Sequence, residues 1–354
     1  MIVHQMLPCF SYGDAIGDDT LALQKIFRAM GHTSRIFAGI INHRDVDDAL
    51  PWKRHKEESG PDRFLVYHFS IGSEITRYLL TIPDRLILVF HNITPAHWFT
   101  GLCPHLTEVT AEGLDELMLL REKTEVAWAD SEFNARILQN LGFPNVHYLP
   151  IVFDLARFNL TPDPIFSQMY RSTQKTWLFT GRVVPNKCHE DLIKAFGIFK
   201  KTIEPHARLL LVGDNKNCRH YTESLLRLLD KLRIPDVFFT GMISDAELVS
   251  AFKMADIFVC MSAHEGFCVP LLEAMYFDLP VLAYAAGAVP GTMDGAGVLI
   301  HNKRHEEIAE LAHQLITDVD LRSKVINGQR SRLLRFQTMD VPGRVAELLG
   351  ALIR

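Results

Sequence analysis

Short apolar runs and longer mixed segments alternate along the whole chain. Runs such as residues 64–67 (FLVY) and 86–90 (LILVF) are almost entirely apolar, as expected for strands buried on both faces of a parallel sheet. Similar runs occur at residues 1–6, 126–129, 146–149, 176–180, 209–212, 237–240, 257–261, 281–284 and 298–300. Between them, helices are predicted at residues 20–30, 111–123, 132–141, 190–199, 306–316, 321–336 and 341–353. The pattern therefore predicts an α/β protein with parallel sheets.

Residues 256–290 show this alternation most clearly. The apolar run 257–261 precedes a polar turn (SAHEG) and a helix for which Pro270 suits the first position. That helix ends before Asp278-Leu279-Pro280, and residues 281–284 form another strand-like run. A strand–helix–strand unit of this kind implies a parallel sheet with the turn at the carboxyl edge of its strands.

The start of this helix is a candidate anion site. The first backbone amides of this helix, at residues 266–269, would point out of its start, and the helix dipole would add positive charge there. Glu265 lies just before the helix and Glu273 lies one turn inside it. Carboxylates beside a phosphate must face another part of the ligand, which favours a polyhydroxylated phosphate ester. The alternative is a pair of glutamates that only benefit from the helix dipole.

These residues resemble the E-x7-E signature of the family 4 retaining glycosyltransferases of GT-B fold. The resemblance rests on Glu265-Gly266-Phe267, Pro270, Glu273-Ala274-Met275 and Leu279-Pro280-Val281. It implies two Rossmann-like α/β domains whose parallel sheets face each other across a central cleft. One position departs from the family, which usually has glycine in place of Cys268, and a side chain there narrows the room near the donor sugar.

The resemblance extends to residues 181–196 (GRVVPNKCHEDLIKAF). Arg182 and Lys187 match the family pattern G-R-x-x-x-x-K, and two such cations can neutralise a diphosphate. Ordinary surface charge is the alternative. The resemblance assigns Glu265 to the donor sugar hydroxyls and Glu273 to the ribose. It also implies donor-binding roles for Gly17, Gly181, Gly241, Met242, Gly266, Phe267, Cys268 and Val269.

The first half of the chain has a glycine-containing turn after its first strand. Residues 10–19 (FSYGDAIGDD) resemble the first strand–helix turn of the family, where a glycine lets the backbone approach the reaction centre. Gly17 is the candidate for that role. Asp18 and Asp19 would either meet an acceptor hydroxyl or simply favour the start of the helix.

Two histidines each follow an apolar run in this half. An imidazole at a strand end can hydrogen-bond to a sugar, although a structural role is the alternative for His68. His91 opens the sequence HNITP and matches the family's histidine beside the anomeric carbon of the donor. Trp98 and Phe99 follow, and they form either an acceptor- or lipid-facing surface or part of the core under helix 111–123.

The chain is expected to divide near residue 150. Its 354 residues suffice for two domains, and residues 150–158 (PIVFDLARF) resemble the interdomain linker of the family. Residues 1–150 are predicted to form an acceptor-side Rossmann-like domain, and residues 151–340 a nucleotide-sugar-binding one. Because GT-B folds send their last helix back to the first domain, residues 341–354 are expected to pack there.

Composition and charge limit the kinds of partner and the cellular environment that we expect for the chain. A net charge of −5 argues against nucleic-acid binding. The six cysteines show no C-x-x-C or metal-site spacing, which favours a reduced, cytoplasmic environment. Neither a signal peptide nor an apolar run of about 18 residues is found, and peripheral contact with the inner face of a membrane stays open. Two D-x-D sequences, at residues 45–47 and 318–320, lack a preceding apolar strand and are interpreted as solvated carboxylates. No metal site is therefore predicted.

Residues and resemblance together imply a metal-independent hexosyltransferase without a cofactor. It would move a hexose from a nucleotide diphosphate sugar to a saccharide or lipid-linked saccharide, with retention at the anomeric carbon. The HNITP context resembles mannosyltransferases of surface-polysaccharide biosynthesis. Candidate catalytic residues are His91, Glu265, Arg182 and Lys187, and a front-face route is favoured because no carboxylate nucleophile is evident near His91. The alternatives are an epimerase or phosphorylase on the same fold, or a non-catalytic nucleotide-sugar-binding protein.

Overall fold

The chain folds into two compact α/β units. The computed structural model describes residues 1–11, 13–42, 49–152, 154–170 and 174–353. Unit 1 comprises Met1–Ala96, His105–Asp154 and Met339–Arg354. Unit 2 comprises His97–Pro104 and Leu155–Thr338.

Unit 1 is built on a seven-stranded parallel sheet. Its strands are β1 (Val3–Phe10), β2 (Ile36–Ile41), β3 (Ala49–Pro51), β4 (Phe64–Phe69), β5 (Arg85–Phe90), β6 (Thr124–Ala129) and β7 (Val146–Tyr148). Their order is β3-β2-β1-β4-β5-β6-β7. The helices between them are α1 (Ala15–Ala29), α2 (Glu74–Leu79), α3 (Pro104–Leu120) and α4 (Glu132–Asn140). The order reverses between β1 and β4, and ligands of open α/β sheets bind outside the carboxyl ends of the strands at such a point.

Unit 2 has a six-stranded parallel sheet. Its strands are β8 (Thr176–Thr180), β9 (Arg208–Val212), β10 (Val237–Gly241), β11 (Ile257–Cys260), β12 (Val281–Tyr284) and β13 (Val298–Ile300), in the order β10-β9-β8-β11-β12-β13. Its helices are α5 (Pro164–Met169), α6 (His189–Thr202), α7 (Arg219–Leu232), α8 (Asp245–Met254), α9 (Val269–Tyr276), α10 (Val289–Met293), α11 (His305–Thr317) and α12 (Val319–Gln337). Here the reversal lies between β8 and β11.

Apolar side chains cover both faces of the sheet in unit 1. Alternate residues of β4 point to opposite faces, with Leu65 in one buried cluster and Val66 in the other. The cluster around Val66 also contains Val345, Leu348 and Leu349 of the last helix, α13 (Val341–Ile353). Burial of each such aliphatic side chain contributes about 1.5–3 kcal/mol. The end of the chain is therefore part of the core of unit 1.

The predicted parallel α/β architecture is confirmed, but strands β2 and β3 were not predicted, and three element bounds differ by four or more residues. Helix α1 begins at Ala15 rather than at residue 20, because the Asp14 carboxylate accepts the Ile16 N–H and caps the helix. Strand β1 continues to Phe10 rather than ending at residue 6, because its second half stays paired with β2. Helix α3 begins at Pro104, seven positions before the predicted start at residue 111.

The expectation that the cysteines are all reduced is wrong for one pair. Cys103 and Cys218 form a disulfide in unit 2, with their Cα atoms 5.3 Å apart, a usual separation for such a bridge. They are 115 residues apart in sequence, so no local spacing rule could reveal the pair.

One of the two D-x-D sequences, at residues 318–320, lies at the start of helix α12. Asp318 caps α12 by accepting the Leu321 N–H at 2.9 Å, while the D-x-D sequence at residues 45–47 lies outside the described residues. Among the helices of the described segments, none is both long and apolar enough to cross a bilayer.

Candidate functional site

Turns at the carboxyl ends of β8 and β9 pack closely in unit 2. Gly213 has a φ of 141°, and a Cβ atom there would lie 2.2 Å from the carbonyl oxygen of Gly181. Only glycine permits this approach of two backbones. The Val183 N–H also donates to the Asp214 carbonyl at 2.8 Å. The turn that carries Arg182 is thereby held in place, with the Arg182 side chain exposed.

Lys187 and Glu265 form a largely buried ion pair beside this turn. The Lys187 Nζ atom lies 2.6 Å and 2.7 Å from the two carboxylate oxygens. The two side chains are 19% and 8% exposed. Burial acts to lower the pKa of Lys187, but the Glu265 carboxylate outweighs this effect and raises that pKa. A fixed cation and a fixed anion therefore lie side by side.

Backbone contacts hold Glu265 in position. Its carbonyl oxygen accepts the Ala288 N–H at 3.0 Å, and a Cβ atom on Gly287, whose φ is 58°, would lie 2.4 Å from the same oxygen. From the β8 side, the Asn186 side chain donates to the His264 carbonyl at 3.1 Å. The loops that carry the ion pair are thus bonded to each other before any ligand arrives.

Helix α9 starts beside the ion pair, at Val269, one residue before the predicted start at Pro270. Cys268 is its N-cap in a left-handed conformation, with φ 77°, where glycine is favoured. The Cys268 side chain makes no capping hydrogen bond. A thiol hydrogen bond with Cys260 instead raises the pKa of Cys268 and lowers that of Cys260. The thiol therefore faces the end of β11. Glu273 is buried further along α9.

A cavity of about 370 Å³ lies at the carboxyl ends of β9 and β10. Small-molecule sites commonly have volumes of about 300–1,000 Å³. Met242 is 80% exposed. The family resemblance places a nucleotide base at this turn. The lining residues are Asp214, Asn215, Lys216, Phe239, Thr240, Gly241 and Met242.

A second polar cluster lies in unit 1, beside the reversal in strand order. The His68 Nδ1 and His91 Nε2 atoms are 3.0 Å apart. Asp19 Oδ2 lies 3.8 Å from the first nitrogen and 3.9 Å from the second. The other ring nitrogen of His91 lies 3.2 Å from Asp130 Oδ2. All four side chains are at most 4% exposed.

Hydrogen bonds around this cluster determine where its protons lie. Gln5 donates its amide N–H to the Thr20 carbonyl at 2.9 Å, so its Oε1 atom accepts the Nε2–H of His68 at 3.0 Å. The Nδ1 atom of His68 is then free to accept the Nε2–H of His91. His91 thus donates from Nε2, while its Nδ1 shares a hydrogen bond with Asp130.

Burial and neighbouring charges shift the pKa values of the cluster in opposite directions. Burial, with a smaller contribution from His91, lowers the pKa of His68 well below its usual value. Burial also acts to lower the pKa of His91, but Asp130 and Asp19 outweigh it and that pKa is raised. Burial raises the pKa of Asp19 to about 7. Burial therefore favours the neutral form of His68, whereas the neighbouring carboxyl groups shift His91 toward its protonated form.

The predicted site residues fall into separate groups. Lys187 contacts Glu265 in unit 2, and His91 contacts His68 in unit 1. Gly17 lies in the first turn of α1, where a Cβ atom would lie 2.2 Å from the Ser11 carbonyl oxygen. Its lack of a side chain is thus required by the packing of α1 against the end of β1.

Sequence reasoning missed Asp130, so the expectation that no carboxylate lies near His91 was wrong: Asp130 and Asp19 are both beside it. It also left two roles open for Asp18 and Asp19. Asp18 accepts the Gly13 N–H at the start of α1 at 3.1 Å, whereas Asp19 is buried beside the histidines. Asp130 directly follows the buried strand β6, as His91 follows β5. That shared position at a strand end was the available indication.

Comparison with known proteins gives a family match for most of unit 2. Residues 165–332 match the profile of the glycosyl transferases group 1. The mannosylfructose-phosphate synthase of Agrobacterium fabrum is 29% identical over 153 residues, 41% of this chain and 34% of that protein. The GDP-mannose-dependent alpha-mannosyltransferase of Mycobacterium tuberculosis is 29% identical over 152 residues, 41% of this chain and 35% of that protein. The match thus spans about a third of each curated relative.

Similarity in three dimensions covers the whole chain. The structure of Anabaena HepE in complex with UDP-glucose aligns with a TM-score of 0.73 at 18% identity, covering 99% of this chain and 100% of that one. The sucrose-phosphate synthase of Thermosynechococcus elongatus aligns with a TM-score of 0.72 at 14% identity, covering 99% of each chain. These alignments confirm the predicted fold class. The chain therefore has the GT-B fold, and its residues 165–332 match the profile of the glycosyl transferases group 1.

Proposed function

We propose that this protein transfers a hexose from a nucleotide diphosphate sugar to an acceptor hydroxyl, with retention at the anomeric carbon. The observation that carries the proposal is the Lys187–Glu265 pair, with Nζ 2.6 Å from the carboxylate, next to the uncapped start of α9. This arrangement offers a cation and backbone amides to phosphate oxygens, and a carboxylate to sugar hydroxyls. The match of residues 165–332 to the group 1 glycosyl transferase profile supports it.

The positive groups of unit 2 would stabilise the charge that develops on the leaving diphosphate. Lys187 is held as a cation, and Arg182 is exposed and free to form a bidentate contact. The N-terminal end of α9 adds the positive end of its dipole. Such groups are effective because they are already oriented when the charge appears. No divalent metal or cofactor is needed at the diphosphate in this scheme.

The remaining groups of unit 2 would orient the donor. Glu265 would accept hydrogen bonds from sugar hydroxyls when Lys187 turns to the phosphate. Glu273 would bind the ribose, and the base would enter the 370 Å³ cavity that Gly241 and Met242 line. The backbone of residues 266–269 would face the phosphates.

These groups suit a front-face route, in which one bond forms, one bond breaks and one proton is transferred. The acceptor oxygen bonds to the anomeric carbon on the face from which the diphosphate leaves. The bond from that carbon to the diphosphate oxygen breaks, and the released phosphate oxygen takes the proton of the acceptor hydroxyl. His91 would border the anomeric carbon. Both of its ring nitrogens already have partners, so it would act through its electrostatic effect on the anomeric carbon rather than through a new hydrogen bond.

We propose mannose as the transferred hexose. The proposed acceptor is a saccharide or a lipid-linked saccharide. The relative from Mycobacterium tuberculosis is named as a GDP-mannose-dependent enzyme, whereas HepE was solved with UDP-glucose. Both nucleotide sugars therefore belong in the test. A lipid-linked acceptor would bring the protein to the cytoplasmic face of a membrane. Trp98, which is partly buried, is a candidate for that contact, while Phe99 is only 4% exposed.

Nucleotide binding and product formation test the proposal in two steps. A nucleoside diphosphate at a hundred times its dissociation constant should stabilise the fold by about 2.7 kcal/mol. The double variant Arg182→Ala/Lys187→Ala should lose most of this effect. Lys253→Ala, at an exposed lysine of α8, is the matched control. An unchanged effect in the double variant would place the diphosphate elsewhere.

Product formation is then measured with GDP-mannose and UDP-glucose and a panel of saccharide acceptors. Proton NMR of the new anomeric centre should show the configuration of the donor. An inverted product would contradict the retaining route. Nucleotide binding without transfer or donor turnover would identify a non-catalytic binding protein.

A further inference from the structure

Three metal-ligating atoms converge on one point in unit 1. Asp19 Oδ2, His68 Nδ1 and His91 Nε2 are separated pairwise by 3.0, 3.8 and 3.9 Å. Ligands of a tetrahedral Zn²⁺ ion, each about 2.0–2.2 Å from the metal, lie roughly 3.4 Å from one another. The observed separations bracket that value. A single ion can therefore contact all three atoms after small side-chain movements.

The second polar atom of each ligand is held by a separate partner. Histidine ligands in metal sites usually donate the other ring N–H to a carboxylate or carbonyl oxygen, and this bond sets the orientation of the ring. The same arrangement is present here, and it turns the ligating atoms toward one another. The partners are Asp130 Oδ2 for His91 at 3.2 Å, Gln5 Oε1 for His68 at 3.0 Å and the Val152 N–H for Asp19 at 2.7 Å.

Acidic groups surround the three ligand atoms. The charged groups that act most strongly on Asp19 are His91, Asp130 and Asp18. Those that act on His91 are Asp130, Asp19 and Asp14. Asp19 and Asp130 are both buried. A divalent ion would give these acidic groups a cationic partner within the buried cluster.

Cys260, Glu265 and Cys268 in unit 2 also bring three ligand atoms within 4.8 Å of one another. Their situation differs, because both carboxylate oxygens of Glu265 contact the Lys187 ammonium. An ammonium group at that distance repels a metal ion and occupies the oxygens it would need. A metal ion is therefore expected at Asp19, His68 and His91. None is expected at Cys260, Glu265 and Cys268.

We propose that Asp19, His68 and His91 bind a divalent metal ion of the Zn²⁺ class. Binding replaces the proton between His68 Nδ1 and His91 Nε2, which leaves to solvent as the ion bonds to both nitrogens. Two imidazole nitrogens and one carboxylate oxygen suit Zn²⁺, with the fourth position taken by water or another oxygen ligand. All three ligands belong to unit 1. The proposal therefore does not depend on the transfer activity proposed above.

Cobalt spectroscopy tests the site directly. Protein without a histidine tag is stripped with a chelator and titrated with Co²⁺. One ion per chain should bind with the intense visible bands of a four-coordinate site and without a sulfur-to-cobalt charge-transfer band. Asp19→Asn and His68→Gln should abolish these bands. His55→Gln is the matched control, because His55 is also buried and lies 3.5 Å from Asp84, outside the proposed site.

Asp130→Asn provides a graded test that keeps the shape of the side chain. Loss of a carboxylate behind a histidine ligand should weaken Zn²⁺ binding by about 10–100-fold, measured by competition with a chromophoric chelator. Circular dichroism confirms that each variant is folded before titration. A sulfur-to-cobalt band would place the ion on Cys260 and Cys268 and overturn the proposal. Bands that persist in Asp19→Asn and His68→Gln, or no binding by the folded native protein, would also overturn it.

Discussion

Substitutions of Lys187 and Glu265 should have strongly non-additive effects on the free energy of unfolding. Its two contacts are 2.6 and 2.7 Å long, and Glu265 is only 8% exposed. Removing one partner of a buried ion pair leaves an uncompensated charge and costs about 3–5 kcal/mol. Glu265→Gln should be at the lower end, because its amide oxygen can still accept from Lys187. Lys187→Met should cost at least as much.

The double variant separates the cost of an unpaired charge from the value of the pair. Lys187→Met/Glu265→Gln removes both charges, and such replacements are often nearly neutral. We therefore expect the double variant to be clearly less destabilised than the sum of the single variants, by at least the roughly 0.5–3 kcal/mol of coupling that is typical of residues in direct contact. Effects that add to within about 0.5 kcal/mol would refute the idea of a coupled buried pair.

Native-state hydrogen exchange is the suitable assay because the chain has two units that need not unfold together. Amides of β8 and β11 report on unit 2, and those of β4 serve as an internal control in unit 1. A nucleoside diphosphate supplies Lys187 with a new anionic partner if the proposed donor site is correct. It should then stabilise unit 2 of Glu265→Gln more than unit 2 of the native protein. Equal stabilisation would show that Lys187 does not reach the phosphates.

The other predictions concern metal, catalysis and pH. Transfer activity should survive exhaustive chelation, because side chains and the start of α9 meet the charge of the diphosphate; complete loss restored only by Mg²⁺ or Mn²⁺ would contradict this. Zn²⁺ added back should lower activity, because it would bind the Nε2 atom of His91. His91→Ala should lower turnover by on the order of 10²-fold with nearly unchanged nucleoside diphosphate binding, and turnover near the native rate would leave His91 a structural residue. Cys268→Gly should remain active, because glycine relieves the φ of 77°; a rate assay that shows inactivation would assign the thiol a role. Burial lowers the pKa of His4 from 6.5 to about 4, and its Nδ1 accepts the Arg35 N–H at 3.2 Å. Since the unfolded state binds this proton more readily, the stability contributed by neutral His4 is complete above about pH 6.5 and falls by up to about 3 kcal/mol as the pH drops to 4. Urea unfolding against pH should show this slope, and His4→Gln should reduce it.

Local pattern was enough to predict most of the described strands and several helix ends, although β2 and β3 were not predicted. The apolar runs locate the buried strands, because parallel strands covered on both faces have few polar residues. Helix α4 begins at Glu132, as predicted, because Ser131 caps it by accepting the Asn134 N–H at 3.1 Å. The start of α1 was missed because Asp14 lies in a stretch with two glycines, which made the whole stretch resemble a turn.

Residues that meet only after folding were harder to predict. Lys187 and Glu265 are 78 positions apart, and the family resemblance assigned them separate partners in the ligand. Asp19 and His68 come together only because β1 pairs with β4. No local pattern contains that pairing. The polar residue after a strand was the useful indication, and it would have found Asp130 had it been applied to every strand.

The core of unit 1 depends on a segment that follows unit 2 in the sequence. Val345, Leu348 and Leu349 are at most 5% exposed and share a cluster with Val3 of strand β1. Together they contribute about 5–9 kcal/mol, which is comparable to the net stability of a whole domain. A ribosome-bound chain that has not yet released residues 341–353 thus lacks this contribution. Unit 1 should therefore mature after unit 2 during synthesis, although most of its residues precede those of unit 2.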